Sequence, residues 1–163
     1  MNPMTERDIR AAFVNCTKGE AKRLSVPRDL ADRPWEDLDY LGWRDPRAPE
    51  RAYLVAELDG GPRALALRCP SPAAGEKRRG MCSLCVTTHS GGVSLMVAPK
   101  AGKAGKQGDS VGIHMCSDLA CSLYVRGMRD PGPGPRVPET LSPEEKIQRT
   151  VANLSAFFAK VRS

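Results

Sequence analysis

Cys82-Ser83-Leu84-Cys85 and, after thirty intervening residues, Cys116-Ser117-Asp118-Leu119-Ala120-Cys121 are the two stretches that decide the fold of this 163-residue chain. Zinc needs four soft ligands at tetrahedral corners, and two short-spaced cysteine pairs deliver them at little cost in loop-closure entropy. In a reducing compartment, cysteines with such spacing bind metal more often than they form disulfides. The sequence therefore predicts one structural zinc ion, bound by Cys82, Cys85, Cys116 and Cys121.

Three other arrangements of the cysteines and histidines stay open at this stage. His114, two residues before Cys116, could replace one thiolate, and His89, which follows the first pair, is a weaker alternative. The four cysteines could also be ordinary buried residues, an interpretation that their spacing disfavours. Cys69 has no partner at short range and is expected to be a spectator, and Cys16 is expected to be a buried apolar residue.

The segments around the cysteines predict the layout of a treble clef. Gly80 precedes the first pair, where a tight knuckle directs two thiolates at one point. Strands are expected over residues 93–97 and 111–115, and a helix is expected over residues 118–125. The second cysteine pair therefore lies where a strand ends and a helix begins. A helix N-terminus also stabilises the negative charge of thiolates.

Farther out, the chain predicts a β-hairpin and two terminal helices. Apolar runs at 53–58 and 63–68 flank a Gly-Gly turn, and Thr5 and Asp8 form a capping-box pattern before a short N-terminal helix. Ser142 and Pro143 begin a C-terminal amphipathic helix. Its expected apolar positions are Ile147, Val151, Leu154, Phe158 and Val161. The predicted fold class is α+β, and the predicted parts are a domain at 1–129, a Pro/Gly-rich linker at 130–141 and a helix at 142–163.

Composition and motifs exclude several classes of protein. Hydrophobic residues make up 40% of the chain and charged residues 27%, and no apolar run approaches the roughly 18 residues of a membrane span. The N-terminus lacks the apolar region of a secretory signal, so a cytoplasmic, soluble protein is expected. Both tryptophans, Trp35 and Trp43, are expected to fill a core rather than to bind a ligand.

An enzyme is not expected. A closed four-cysteine site leaves no open position for water, which a catalytic zinc site requires. The chain has two histidines and none of the H-E-x-x-H, G-x-S-x-G, P-loop or G-x-G-x-x-G motifs.

The basic charge is concentrated around the cysteines. Residues 61–129 contain 10 basic and 3 acidic residues, a net charge of +7, whereas residues 1–60 have a net charge of −2. Lys100, Lys103 and Lys106 recur among glycines and alanines, a pattern that predicts a loop with little side-chain packing. Such a loop is either a solvated surface or an arm for an acidic partner. The other basic residues of this segment that could assist are Lys77, Arg78, Arg79, Arg126 and Arg129.

Four stretches of this chain resemble the treble-clef zinc-finger domain of the elongation factor G-binding proteins, a family that includes the fusidic-acid-resistance proteins of low-GC Gram-positive bacteria. They are Met81-Cys82-Ser83-Leu84-Cys85, Gly91-Gly92-Val93-Ser94-Leu95, residues 101–108 and residues 111–127. Residues 13–20 and 35–43 are similar to actinobacterial single-domain members. The 163 residues are expected to lack the separate N-terminal helical bundle of the resistance proteins, a departure that bears on the resistance activity more than on the zinc site or the fold.

This resemblance implies a zinc ion and binding to elongation factor G, with an effect on the release of that factor from the ribosome. The expected partner-binding residues are Lys100, Lys103, Lys106, Tyr124 and Arg126, although Tyr124 could equally belong to the core, and the protein is expected to be a monomer. The second hypothesis is a basic zinc-finger module that binds RNA or the ribosome. It is less favoured because the basic segment contains only one stacking aromatic residue, Tyr124.

Overall fold

A computed structural model describes residues 1–70 and 78–163 of the chain. In that part, an antiparallel sheet has the strand order β1-β2-β3-β5-β4, and β6 pairs with β5. The strands are β1 (Leu41–Arg44), β2 (Arg51–Leu58), β3 (Gly61–Arg68), β4 (Arg78–Met81), β5 (Thr88–Pro99) and β6 (Ser110–Cys116). The helices are α1 (Glu6–Ala12), α2 (Lys18–Arg23), α3 (Gly102–Lys106), α4 (Cys121–Val125) and α5 (Pro143–Arg162), with 3-10 turns at Leu30–Asp32 and Trp35–Asp37. The predicted α+β class, with β-hairpins and a helix at each end, is confirmed.

The predicted hairpin is formed by β2 and β3. Asp59 and Gly60 connect the strands with φ angles of 53° and 77°. Two successive positive φ values match the right-handed twist of the flanking strands, and glycine adopts them without steric cost. The hairpin therefore pairs in full register from Leu58 opposite Gly61 to Arg51 opposite Arg68.

The side chains of β2 alternate between two hydrophobic cores, one on each face of the sheet. Residues 52–56 are all buried, as expected for a strand that is covered on both sides. The cysteine core includes Leu54, Leu65, Met96, Met115, Leu154, Phe157, Phe158 and the four clustered cysteines. The aromatic core includes Ile9, Trp35, Leu41, Trp43, Tyr53 and Val55. The prediction that both tryptophans fill a core is confirmed.

The N-terminal segment forms two short helices, and the first of them is the predicted N-terminal helix. Thr5 and Asp8 form the predicted capping box of α1, which ends at Ala12. Thr17 and Glu20 then form a second capping box that begins α2. Cys16 lies in the connection between the helices and packs against the aromatic core, but it is half-buried rather than buried as expected.

Helix α5 closes the cysteine core largely by the predicted face, since Leu154, Phe158 and Val161 are buried and Ile147 packs against the core. Ser142 caps the helix and Pro143 begins it, as predicted. The buried positions are Thr150, Leu154, Phe157, Phe158 and Val161, whereas Val151 is 37% exposed. Before the helix, Glu139 forms ion pairs with Lys146 and Arg149. The division into domain, linker and helix stays a prediction.

The basic segment between β5 and β6 is built differently from the loop that its composition predicts. It contains the short helix α3, and Lys100 N–H donates to the Asp109 carbonyl at 2.9 Å across the turn. Ala101 N–H donates to the Val161 carbonyl at 2.8 Å, which ties α3 to the last turn of α5. A Cβ atom at Gly105 would lie 1.8 Å from the Lys100 carbonyl oxygen, so the turn requires glycine there. No helix in the described part of the chain is long and apolar enough to cross a membrane.

Candidate metal centre

The first cysteine pair lies in a tight knuckle between β4 and β5. Cys82 N–H donates to the Thr87 carbonyl at 2.9 Å, and Val86 N–H donates to the Cys82 carbonyl at 2.9 Å. Val86 adopts a φ of 60°, which is rare for a β-branched residue and indicates a backbone held by its surroundings. Cys85 N–H also points at the Cys82 Sγ atom, at 3.4 Å. The knuckle thus turns both sulfur atoms to the same side.

The second pair spans the end of β6 and the first residue of α4. Cys116 is the last residue of β6 and Cys121 the first of α4, so the helix begins three residues later than predicted. Between them Leu119, with a φ of 60°, donates its N–H to the Cys116 carbonyl at 2.9 Å. A Cβ atom at Gly42 of β1 would lie 2.6 Å from the Leu119 Cβ atom. This glycine lets β1 pass directly over the loop between the two cysteines.

All four predicted ligands meet in one buried cluster. The Sγ atoms of Cys82 and Cys121 lie 3.6 Å apart, as do those of Cys85 and Cys116. All four sulfur atoms lie within 4.8 Å of one another, and each side chain is at most 3% exposed. Sulfur atoms about 2.3 Å from a tetrahedral zinc ion are about 3.8 Å from each other, so the set has the size and the chemistry of a structural zinc site.

The electrostatics of the cluster favour a cation. Hydrogen bonds from the neighbouring thiols lower the pKa of Cys82 below its usual range, and the largest contribution comes from Cys116. Hydrogen bonds with the other three thiols raise the pKa of Cys116 above its usual range, and the largest contribution comes from Cys121. Four adjacent thiolates would repel one another in a buried site, so the cluster carries its full negative charge only when a cation balances it.

Two further side chains approach the sulfur atoms from outside the cysteine pairs. The Nε2 atom of His89 lies 3.2 Å from the Cys116 Sγ atom, and the histidine is buried. Tyr40 is 1% exposed, and its hydroxyl group finds no hydrogen-bond partner among the described residues. Burial, and after it the proximity of Cys121, raises the pKa of Tyr40 well above its ordinary value. Both groups are placed to donate hydrogen bonds to metal-bound thiolates.

The sequence gives unequal signals for these two groups. His89 follows Cys85 by four residues, a spacing that already suggested proximity to the metal, although it neighbours a sulfur atom rather than joining the four-cysteine set. Tyr40 has no spacing pattern that relates it to the cysteines. His114 is exposed, and its backbone carbonyl accepts a hydrogen bond from Ser83 N–H at 2.8 Å.

Cys69 lies outside the cluster, as expected of a spectator. Its Sγ atom accepts a hydrogen bond from Arg44 Nη1 at 3.0 Å. Asn153 of α5 donates to the Leu84 carbonyl at 2.9 Å, which ties the helix to the knuckle between Cys82 and Cys85. The closed surroundings of the cluster suit a structural metal rather than a catalytic one.

The predicted partner-binding residues lie in two places. Lys103 and Lys106 are exposed on α3, with Lys100 half-buried just before it. Tyr124 and Arg126 lie at α4 beside the cysteine cluster. Lys77 lies outside the described residues, and so does the side chain of Arg78.

Both residues at α4 make internal contacts. The Tyr124 hydroxyl donates to Asp118 at 2.7 Å, and its ring meets that of His89 edge-on at 4.6 Å. The Arg126 guanidinium forms a bidentate ion pair with the Asp39 carboxylate, with N–O distances of 2.7 and 3.0 Å. Their predicted role in partner binding stays a prediction.

A family model described as FBP C-terminal treble-clef zinc-finger matches residues 8–161, nearly the whole chain. No curated protein and no solved structure is significantly similar to the chain. The family and the four-cysteine cluster together support zinc binding.

Proposed function

The chain belongs to the FBP C-terminal treble-clef zinc-finger family, and on that premise we propose that it is a non-enzymatic protein that binds elongation factor G. The match over residues 8–161 is the observation that carries this proposal. The protein acts as a monomer in the cytoplasm and modulates the release of the factor from the ribosome.

Cys82, Cys85, Cys116 and Cys121 hold one structural zinc ion in this proposal. When bound, the zinc ion would balance the negative charge of the thiolates and form one bond with each of the four sulfur atoms. The knuckle and the β6–α4 corner are thereby fixed to each other, because each contributes one cysteine pair. His89 orients the Cys116 thiolate through a hydrogen bond, and the Tyr40 hydroxyl, which has no partner among the described residues, would donate to the metal-bound thiolate of Cys121.

The surface that meets the factor is centred on α3. Lys103 and Lys106 are exposed there, and the hydrogen bond from Ala101 to Val161 brings the last turn of α5, with exposed Lys160, beside them. A basic surface of this kind accelerates association with an acidic protein, and an apolar contact slows dissociation. Lys100 adds charge at α3, and a second contact at α4 is supplied by Tyr124 and Leu123, both half-buried, beside Arg126 and its ion pair with Asp39.

Calorimetry with purified elongation factor G tests the proposal. Both proteins are treated with nuclease, and the zinc-loaded protein is titrated into the factor with and without ribosomes. We expect a one-to-one complex without ribosomes. If the protein retains RNA through purification and does not bind the nuclease-treated factor, the RNA-binding hypothesis is correct and this proposal is wrong.

A further inference from the structure

A cavity on the side of the sheet away from the cysteine cluster is lined by three arginines. Its volume is about 380 Å³, and it lies between α2, β2 and β3. Each of these elements contributes one arginine to the cavity: Arg23 from α2, Arg51 from β2 and Arg68 from β3. Tyr53, Leu24, Ala66 and Leu67 also line it and belong to, or pack against, the two cores. The cavity therefore combines charged side chains with an apolar wall.

The three arginines are exposed, and they outnumber the two carboxylates that line the cavity, Glu20 and Asp45. Arg51 lies directly opposite Arg68 in the β2–β3 register, and like charges at paired positions of an antiparallel sheet destabilise it. Within residues 1–70 and 78–163, none of the three guanidinium groups forms an ion pair. Repulsion of this kind is relieved when an anion lies between the groups.

Two carboxylates also line the cavity, and both already have partners. Glu20 accepts hydrogen bonds from Thr17 N–H at 2.7 Å and from the Thr17 hydroxyl at 2.8 Å. Asp45 accepts one from the Tyr53 hydroxyl at 3.1 Å and one from Arg47 N–H at 2.9 Å. Their charges offset those of the arginines only in part, and the N–H donors of the arginines remain available.

The other polar groups of the cavity do not oppose an anion. Asn15 uses its amide on the backbone of Ala66 and Pro99, so it fixes the wall of the cavity. Burial, and after it the charge of Glu20, raises the pKa of the Cys16 thiol to about 11, so the thiol stays neutral at neutral pH.

We propose that this cavity binds a small organic phosphate through Arg23, Arg51 and Arg68. Guanidinium groups match the oxygen atoms of phosphate in pairs, and a phosphate dianion has enough acceptors for three of them. A carboxylate, with two oxygen atoms and one charge, would be satisfied by a single arginine. The volume is in the range of small-molecule sites and exceeds what a phosphate group alone would fill. The organic part of the ligand lies against the apolar wall.

Titration calorimetry on the full-length, zinc-loaded protein tests this site. The probes are a nucleoside monophosphate, inorganic phosphate and a single-stranded RNA without a terminal phosphate. We expect the monophosphate to bind with a stoichiometry of one and more tightly than inorganic phosphate. R51Q and R68Q should each weaken that binding about tenfold or more, because each removes charge-assisted hydrogen bonds.

Two matched variants sharpen the result. R63Q removes an arginine of β3 that does not line the cavity, and should leave binding unchanged. E20Q removes a negative charge from the cavity, while glutamine still serves in a capping box, and should tighten binding. Thermal unfolding of each variant checks that it folds.

Three results would overturn the proposal. They are no binding of the monophosphate, equal binding in wild type and R51Q, and equal affinity for the monophosphate and inorganic phosphate. Binding of the RNA alone would replace it with a nucleic-acid surface. The proposal does not depend on elongation factor G, because R51Q and R68Q are expected to leave that complex intact.

Discussion

The cysteine core and the aromatic core cover opposite faces of one sheet, yet they satisfy their buried polar groups in different ways. In the aromatic core, Trp35 Nε1 donates to the Leu30 carbonyl at 2.7 Å and Trp43 Nε1 donates to the Ser25 carbonyl at 2.7 Å. The Tyr53 hydroxyl donates to Asp45. In the cysteine core, four thiols lie against one another and the Tyr40 hydroxyl has no partner among the described residues.

This difference shows that the cysteine core, unlike the aromatic core, needs a bound ion to satisfy its polar groups. A buried polar group without a partner costs about 1–3 kcal/mol, and the aromatic core avoids that cost with backbone carbonyls and the Asp45 carboxylate. The cysteine core is complete only with a cation. Although β2 contributes side chains to both cores, the two cores satisfy their polar groups separately, so a change in one is expected to leave the polar groups of the other in place.

The largest expected effect comes from Cys82→Ser. It removes one of four thiolates, and binding of a structural zinc contributes on the order of 10–16 kcal/mol in small zinc domains. We expect loss of the metal and unfolding of the cysteine core, measured by elemental analysis and circular dichroism.

Cys69→Ser is the matched control, since Cys69 is also buried but contacts Arg44 rather than the cluster. It should keep one equivalent of zinc. If wild-type protein purified without chelators contains less than about half an equivalent, the assignment of a zinc site is wrong.

The aromatic core should respond to Trp43→Ala with a loss of stability but not of metal. Trp43 is 8% exposed and packs against Tyr53 with ring centroids 5.3 Å apart. Truncation of a buried tryptophan costs roughly 3–5 kcal/mol. We expect a clearly lower melting temperature and, below it, an unchanged zinc content. Loss of zinc from the folded variant would show that the two cores are not separable in this way.

The cysteine core could be predicted from the sequence because its signal is local. Two short spacings determine which sulfur atoms converge, and capping residues determine where α1 and α5 begin. Tyr40 could not be predicted, because its approach to Cys121 depends on how β1 crosses the loop at Leu119. The helix in the basic segment could not be predicted for a related reason. The Lys100 carbonyl approaches position 105 so closely that only glycine fits there, and this contact is not visible in the sequence.

A smaller effect is expected from Tyr40→Phe, which tests whether the metal-bound thiolates provide the missing partner. If the hydroxyl donates to Cys121, its removal should weaken zinc binding by about tenfold, in the range found for outer-shell partners. Competition with a zinc chelator measures the affinity, and the sulfur-to-metal absorption of the cobalt-substituted protein should shift.

Tyr53→Phe is the equivalent change in the aromatic core. It leaves Asp45 without its buried donor and should lower the free energy of unfolding without a change in zinc affinity. If Tyr40→Phe instead stabilises the protein and leaves zinc affinity unchanged, the hydroxyl is simply unsatisfied and plays no part in the metal site.

The smallest effect on either core is expected from the double substitution K103A/K106A. Both lysines are exposed on α3 and belong to neither core, and exposed charges contribute little to stability. Zinc content and melting temperature should therefore match wild type. Association with elongation factor G should be slower at low salt and less dependent on ionic strength, because steering by exposed charge acts on the association rate. Stopped-flow measurements across a salt series test this against K18A/K22A, which removes two exposed lysines of α2. Equal slowing by both pairs would indicate that only the net charge matters, whereas no slowing by K103A/K106A would make α3 a solvated surface.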